Sequence, residues 1–115
     1  MSNRRVARRP EDLGQLFMDR ANAGDVEGIV ALYQLDAVLA FPTGKITVGR
    51  EAIRRVFTEL LAKGPKFQGS VQPALRKGQF ALTSTRFSGS ATAEVARCQS
   101  DGTWLWIIDQ PNVLK

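Results

Sequence analysis

The chain has 115 residues, enough for one domain, and its hydrophobic content of 43% is ordinary for a globular protein. It contains no apolar run of 18 residues and no histidine. This excludes a membrane-spanning helix, catalytic triads that need an imidazole, and zinc sites with histidine ligands. The single cysteine, Cys98, cannot form an internal disulfide and favours a reducing, cytoplasmic location.

The formal charge of +5 is concentrated at the start of the chain. Four arginines lie within the first nine residues, namely Arg4, Arg5, Arg8 and Arg9. The rest of the chain carries 12 basic and 11 acidic side chains. We predict a flexible basic tail over residues 1–9 and a single domain over residues 10–115. Because the body is nearly neutral, we expect no nucleic-acid partner.

Pro10 marks the predicted start of the first helix, since the N–H that proline lacks has no partner at a first helical position. Leu13, Leu16 and Phe17 follow the i, i+3, i+4 spacing of one buried helical face. Gly24 ends this helix, because glycine readily adopts the conformation that terminates one.

Asp25 is the predicted cap of a second helix, because its side chain can accept a hydrogen bond from the first turn. The inner stripe of that helix is Val26, Ile29, Val30 and Tyr33. Two short strands follow over residues 37–41 and 46–48. Gly49 precedes a third helix, which ends at Gly64 and Pro65.

From Phe67 onward the hydrophobic pattern changes to a period of two, which indicates strands. We predict four of them, over residues 67–76, 79–88, 91–99 and 103–110. Helices followed by consecutive strands indicate an α+β domain with a mostly antiparallel sheet.

The dipeptide Asp101-Gly102 is typical of a two-residue hairpin loop. That loop predicts three facing pairs: Ser100 with Thr103, Arg97 with Trp106, and Glu94 with Asp109. Because side chains alternate between the faces of a strand, the acids would share the inner face with Leu105 and Ile107. The outer face would carry Val95, Arg97, Trp104 and Trp106.

The segment from Phe17 to Phe57 reads FMDRANAGDVEGIVALYQLDAVLAFPTGKITVGREAIRRVF. It resembles the opening of the SnoaL-like polyketide cyclase and ketosteroid isomerase superfamily, and the similarity extends over roughly residues 10–111. The resemblance implies the nuclear transport factor two-like fold, a cone-shaped α+β barrel. In that fold three N-terminal helices pack on a curved, mostly antiparallel sheet and enclose one deep pocket.

The resemblance also argues against the best-known reaction of the superfamily. Phe17 falls where a ketosteroid isomerase has its oxyanion-hole tyrosine, Phe41 falls on the general-base aspartate, and Phe57 falls on a supporting tyrosine. Glu94 falls on the second oxyanion-hole acid, which faces the pocket. Two arguments therefore direct Glu94 inward, whereas Asp109 has an apolar counterpart in the isomerase.

Two facing carboxylates repel each other unless something compensates, and in a pocket with little water the cheapest compensation is a shared proton. We therefore predict Glu94 and Asp109 as catalytic residues for acid–base chemistry. Neutralisation by Arg86 or Arg20 is an alternative. A further alternative is that the strand ends separate and both acids are solvated.

The predicted ligand is a small hydrophobic molecule held by apolar walls. The candidate ligand-binding residues are Phe17, Tyr33, Phe41, Phe57 and Ile107. These side chains could instead fill the cone as ordinary core, which would make the protein a non-catalytic binding or oligomerisation module. No phosphate-binding loop motif occurs, so we predict no cofactor and no metal.

Two tryptophans and an arginine on an open sheet face would expose more apolar surface than a monomer usually does. Superfamily members commonly dimerise through this face, so we predict a homodimer through Arg97, Trp104 and Trp106. A surface for stacking nucleobases has similar chemistry but lacks a matching basic stripe.

Overall fold

The computed structural model describes residues 5–114 of the chain. Its three helices are α1 (Asp12–Asn22), α2 (Val26–Val30) and α3 (Arg50–Leu61). Its strands are β1 (Tyr33–Leu39), β2 (Thr47–Val48), β3 (Ser70–Val71), β4 (Leu75–Lys77), β5 (Phe80–Thr83), β6 (Thr85–Phe87), β7 (Ser90–Ala91), β8 (Ala93–Cys98) and β9 (Trp104–Gln110). The predicted α+β class with helices on a curved, mostly antiparallel sheet is confirmed, although the sheet does not close into a barrel.

The strands form two sheets, of which the larger has the order β2-β1-β9-β8-β5-β4 and the smaller the order β3-β6-β7. β1 and β9 run parallel at the centre of the larger sheet, and the other neighbours are antiparallel. The helices cover one face of the larger sheet, and their apolar stripes meet its inner side chains in one core.

The chain enters the domain earlier than the sequence predicted. Ala7 is buried, and its carbonyl oxygen accepts a hydrogen bond of 2.9 Å from the amide of Trp104. The amides of Arg8 and Arg9 both donate to the Asp12 carboxylate at 3.0 Å. Residues 5–9 are thus part of the domain, whereas the rest of the predicted tail lies outside the described residues.

The second helix is shorter than predicted. The Asp25 cap is present, because the amide of Gly28 donates to its carboxylate at 2.9 Å. The helix ends at Val30, and Tyr33 begins β1 instead of completing the helical stripe. Pairing with Trp106 of β9 explains this, since a strand partner outweighs the local helical pattern.

The two long strands predicted over residues 79–88 and 91–99 are both interrupted, the first in its middle and the second near its start. Ser84 separates β5 from β6, and Thr92 separates β7 from β8. Side chains supplement the backbone hydrogen bonds at this corner: the Ser84 hydroxyl donates to the Thr92 carbonyl at 2.7 Å, and the Thr85 amide donates to the Thr92 hydroxyl at 2.9 Å. The break lets the chain pass from one sheet to the other.

The hairpin between β8 and β9 differs from the predicted two-residue loop. Gln99 and Thr103 close a three-residue loop, in which Gly102 has a φ of +84° and donates to the Gln99 carbonyl at 2.9 Å. This is a type I turn followed by a left-handed residue. It shifts the pairing by one residue, so Ala96 lies opposite Trp106 and Arg97 opposite Leu105.

A second irregularity reverses that shift. Ile107 is an extra residue in β9, because Ala96 pairs with Trp106 while Val95 pairs with Ile108. Beyond this bulge Glu94 lies opposite Asp109, as predicted. The predicted pair therefore forms although the assumed loop was wrong.

The faces assigned to the residues between the loop and the bulge were consequently wrong. Trp104 and Trp106 are 2% and 3% exposed and point into the core instead of lying on an outer face. Leu105 pairs beside Arg97 on the opposite side. The prediction of a dimer through exposed tryptophans therefore cannot hold in that form.

The outer face of the larger sheet instead carries an unbroken row of aliphatic side chains, one from each strand. In spatial order they are Val48, Val38, Ile108, Val95, Leu82 and Leu75. Four of them are exposed, up to 71% for Leu75. We call this set the aliphatic row. The adjacent row on the inner face contains Thr83, Glu94, Asp109, Leu39 and Thr47, all buried.

Arg20 is a buried cation of α1. Its guanidinium donates to the carbonyl of Gly28 at 2.7 Å and also to the carbonyl of Arg5. It therefore connects three chain segments rather than neutralising the acid pair. No helix within residues 5–114 is long and apolar enough to cross a membrane.

We expect Arg20→Met to lower the free energy of unfolding by about 2 kcal/mol, because methionine fills the space but leaves buried carbonyls without a charged donor. Arg86→Met is the matched control, since Arg86 is exposed on β6 and should change stability by less than about 0.5 kcal/mol. Urea denaturation of both variants measures the difference. Equal stability losses would contradict the role given to Arg20.

Candidate ligand-binding and acid–base site

A cavity of about 720 Å³ lies between the helices, the inner face of the larger sheet and the smaller sheet. Its walls are mostly apolar and include six aromatic side chains: Phe17, Phe41, Phe57, Phe67, Phe87 and Trp106. Phe17 lies at the centre of this group, with ring centroids 5.4 Å from Phe67 and 5.8 Å from Phe57. Edge-to-face packing of this kind holds the walls in place without closing the space between them.

Two carboxyl groups line the sheet side of the same cavity. Glu94 on β8 and Asp109 on β9 are directly paired, and they are 4% and 7% exposed. Both therefore lie in an environment with little water, and neither strand end separates to solvate them. The alternative in which both acids lie in solvent is excluded for this structure.

Each acid accepts a hydrogen bond from a hydroxyl group. The Thr83 hydroxyl donates to Glu94 at 2.6 Å and itself accepts a hydrogen bond of 3.1 Å from the indole N–H of Trp106. The Tyr33 hydroxyl donates to Asp109 at 2.5 Å. These contacts fix both side chains before any ligand arrives.

The environment shifts the pKa of every titratable member of this cluster upward. Burial raises the pKa of Asp109 to about 8, the negative charge of Glu94 acts in the same direction, and the hydrogen bond from Tyr33 opposes them. Burial also raises the pKa of Glu94, against the effect of its hydroxyl donors. Burial, followed by the charge of Asp109, raises the pKa of the Tyr33 phenol well above its usual value. The pair therefore prefers to hold one proton near neutral pH.

The arginines considered as neutralising partners lie elsewhere. Arg86 is exposed on β6, where it pairs with Ser70 and Ala91, and Arg20 bonds to carbonyl groups. Among the described residues, Lys45 is the one cation that lines the cavity, and it is exposed in the loop between β1 and β2. Burial and mutual repulsion of the acids are thus not offset by a buried cation from this part of the chain.

Within residues 5–114 no three cysteine, aspartate or glutamate side chains come close enough to hold a metal ion. The chemistry that the site can supply from its own residues is proton transfer by the two carboxyl groups beside an apolar space.

Comparison with family models decides the classification. The model of the SnoaL-like domain matches residues 15–111, which is most of the chain. The chain belongs to the SnoaL-like domain family. The resemblance found in the segment from Phe17 to Phe57 is thereby confirmed, and the subfamily stays open.

Solved structures give the same fold for this SnoaL-like protein. A proposed association domain of calcium/calmodulin-dependent protein kinase type II from Thiobacillus denitrificans superposes with a TM-score of 0.73 at 17% identity, over 92% of this chain and 95% of that one. A proposed dehydratase of the NTF2-like family from Streptomyces avermitilis reaches 0.70 at 14% identity, over 84% and 88%. A ketosteroid isomerase-like protein from Erwinia carotovora atroseptica reaches 0.70 at 16%, over 86% and 88%.

At such low identity these structures establish the fold alone. The comparison with curated proteins finds no significant match.

The predicted ligand-binding residues of the SnoaL-like protein fall into two groups. Phe17, Phe41 and Phe57 line the cavity. Tyr33 is fully buried and reaches the site through its bond to Asp109, but it is not part of the lining. Ile107 also lies outside the lining, because it is the bulge residue of β9.

Sequence reasoning missed Trp106 and Thr83, which connect the wall to Glu94. For Thr83 the sequence contained a signal, because the period-two pattern places it on the same face of its strand as Ala81. Both side chains are buried in the structure. For Trp106 the signal was hidden, since a three-residue loop and a bulge cannot be read from an Asp-Gly dipeptide alone.

We expect the stability difference between Asp109→Asn and the native protein to depend on pH. An unfolded aspartate ionises near pH 4, as a group of ordinary pKa does, while folded Asp109 keeps its proton up to a pKa of about 8. Between these values the folded state binds more protons than the unfolded state, so the contribution of Asp109 to stability falls as pH rises.

An asparagine side chain does not titrate. The free energy of unfolding of Asp109→Asn should therefore rise relative to that of the native protein between pH 4 and pH 8, by about 2 kcal/mol or more. Urea denaturation at several pH values checks this. Asp36→Asn, at an exposed position, is the control and should show no such gain. If the difference in free energy of unfolding between the native protein and Asp109→Asn stays constant across this pH range, the raised pKa of Asp109 is contradicted.

Proposed function

We propose that this SnoaL-like protein binds a small hydrophobic molecule in its cavity and acts on it by acid–base chemistry through Glu94 and Asp109. One observation carries the proposal: two buried carboxyl groups face each other on paired strands and line a largely apolar cavity of about 720 Å³. Such a volume suits a small organic ligand.

The electrostatics of the pair support a catalytic role over a structural one. Within the described residues no buried cation accompanies the two facing acids, so their burial costs stability, and an apolar pair at the same positions would avoid that cost. A carboxyl group whose pKa is about 8 is also suited to exchange protons near neutral pH. Residues that reduce stability and are tuned in this way are typical of functional sites.

The reaction class that fits is proton transfer on an apolar substrate, as in isomerisation, cyclisation, dehydration or hydrolysis. The solved neighbours include a proposed dehydratase and an isomerase-like protein, and both descriptions are compatible with this chemistry. The ketosteroid isomerase reaction itself is not proposed, because Phe17, Phe41 and Phe57 can neither donate a hydrogen bond to an oxyanion nor accept a proton.

The alternative is a non-catalytic binding or oligomerisation module. The open cavity, lined by both acids, favours a ligand-binding role over a cone filled by its own side chains. The predicted cytoplasmic location stays a prediction.

The first experiment separates binding from catalysis. The fluorescent dye N-phenyl-1-naphthylamine should bind the native protein, and displacement of the dye by apolar ketones, enones and hydroxyketones should identify ligands. Nuclear magnetic resonance then follows deuterium incorporation from heavy water into each bound ligand, which reports proton abstraction directly.

Glu94→Gln and Asp109→Asn should each lower the exchange rate by about 100-fold, a typical loss for a general acid or base, while dye binding changes little. Glu59→Gln, at an exposed acid of α3, is the control. Absence of dye binding would contradict the ligand-binding proposal. Binding with exchange that survives both acid variants would contradict acid–base catalysis and favour the binding module.

We also propose that a second copy of this chain covers the aliphatic row. The row crosses all six strands without a polar interruption, and a two-fold axis on it would place identical apolar surfaces together. A continuous exposed patch of this kind is typical of an interaction surface. The description of one neighbour as an association domain is in keeping with a self-associating role.

Ile108→Lys should convert a dimer into a monomer, because it places a charge near the centre of the aliphatic row. Sedimentation equilibrium measures the change. Val6→Lys is the control, since Val6 is similarly exposed but lies outside the sheet. A native protein that sediments as a monomer would contradict the dimer, as would Ile108→Lys that dimerises with native affinity.

A further inference from the structure

We infer that Thr85 is a ligand-positioning residue, and that the molecule bound in the cavity carries a carbonyl or hydroxyl oxygen that forms a hydrogen bond with the Thr85 hydroxyl. The inference rests on the proposed function and deepens it, because it assigns the chemical class of the ligand: an apolar molecule with an oxygen group. The state of the Thr85 hydroxyl is a property of the ligand-free protein and can be tested separately.

The Thr85 side chain is buried, yet its hydroxyl forms no hydrogen bond within residues 5–114. Thr85 begins β6, is 5% exposed and lines the cavity. Its amide donates to the Thr92 hydroxyl and its carbonyl accepts from the Thr92 amide, both at 2.9 Å. These bonds fix the backbone of Thr85 and leave its hydroxyl available.

The same hydroxyl is open to the cavity. Across the described part of the chain, every side-chain oxygen or nitrogen that is shielded from water has a hydrogen-bond partner. The Thr85 oxygen has no such partner, so it is not shielded, and the space that Thr85 lines is the cavity. Gly14 of α1 helps to keep this oxygen uncovered, because a Cβ atom at that position would lie 2.8 Å from it.

The other polar groups of the cavity wall differ from Thr85 in burial or in bonding. Glu94 and Asp109 are buried as well, but they accept hydrogen bonds from the hydroxyls of Thr83 and Tyr33. The remaining polar lining residues are at least partly exposed, namely Thr43, Lys45, Ser90, Thr92, Gln110 and Asn112. Thr85 is therefore the buried polar residue of this wall whose side chain the described residues leave without a hydrogen bond.

A buried hydroxyl at this position costs stability unless something binds it. Valine has a similar shape and would fill the same space without a polar group, so the presence of threonine calls for an explanation. A ligand oxygen would supply the hydrogen bond and displace water from the hydroxyl. Because a hydroxyl both donates and accepts, its partner can be a carbonyl or a hydroxyl oxygen.

The location of Thr85 also suits the chemistry proposed for the acid pair. Thr83, which donates to Glu94, lies two residues before Thr85. Thr92, which bonds to the backbone of Thr85, lies two residues before Glu94. An oxygen held at Thr85 would thus keep the neighbouring carbons of the ligand on the sheet side of the cavity, where both carboxyl groups lie. A carbon next to a carbonyl is one from which a base can remove a proton.

Melting temperatures of the ligand-free protein test the state of the hydroxyl. Thr83 and Thr85 are equally buried, at 5% exposure each. Thr83→Val removes two buried hydrogen bonds and should lower the melting temperature by about 5 °C or more, whereas Thr85→Val should leave it unchanged or raise it. If Thr85→Val lowers the melting temperature as much as Thr83→Val, the hydroxyl has a partner in the protein and the inference is overturned.

Matched ligand pairs test the hydrogen bond itself. Methyl naphthyl ketone and isopropenylnaphthalene differ by an oxygen in place of a methylene group, and naphthylethanol and isopropylnaphthalene differ by a hydroxyl in place of a methyl group. Displacement of N-phenyl-1-naphthylamine gives the four dissociation constants. In at least one pair, Thr85→Val should shift the ratio of dissociation constants by about tenfold against the ligand with the oxygen, since it loses one hydrogen bond.

Thr85→Ser keeps the hydroxyl and should keep the native ratios, and Thr58→Val on α3 controls for a threonine outside the cavity wall. If Thr85→Val folds poorly, Thr85→Ala removes the same hydroxyl and should give the same shift. Binding of these ligands with both ratios unchanged in Thr85→Val would overturn the inference and leave the proposed function standing. Absence of binding of the dye and of all four ligands would instead contradict the proposed function, and the inference with it.

Discussion

The central position of β9 is the constraint on which the rest of the structure depends. This strand pairs with β1 in parallel and with β8 antiparallel, so it fixes both halves of the larger sheet. Its inner face supplies the tryptophan wall and one acid of the site. Its outer face supplies Ile108 to the aliphatic row. The cavity, the proton-sharing pair and the outer surface are therefore set by one strand and its two partners.

The sequence was sufficient to predict the class, the three helices and the run of strands after the third helix. Periodicity determines these features, and the Asp25 cap and the end of α3 followed from local chemistry. Strand lengths were harder to predict, because the strands are interrupted at Ser84 and Thr92, where the hydrogen bonds depend on contacts made at the corner between the sheets. Tyr33 likewise joins a strand through a partner that is distant in the sequence, Trp106.

The candidate site was predictable in part, and for physical reasons. Glu94 and Asp109 carry charge in an apolar strand pattern, which draws attention to them in any register that pairs them. The residues that form hydrogen bonds around these acids are common types in a sheet. A threonine, a tyrosine or a tryptophan at such a position is usually part of the core. Their roles follow from the direction of hydrogen bonds, which no spacing in the chain encodes.

The three-residue loop and the Ile107 bulge have a consequence for how this hairpin can change. The loop shifts the pairing of β8 with β9 by one residue and the bulge shifts it back, so the register is changed only for the residues between them. Losing both irregularities at once would turn Trp104 and Trp106 to the other face while leaving Glu94 opposite Asp109. The position of Trp106 in the cavity wall therefore depends on the loop and the bulge, whereas Glu94 and Asp109 would be paired with or without them.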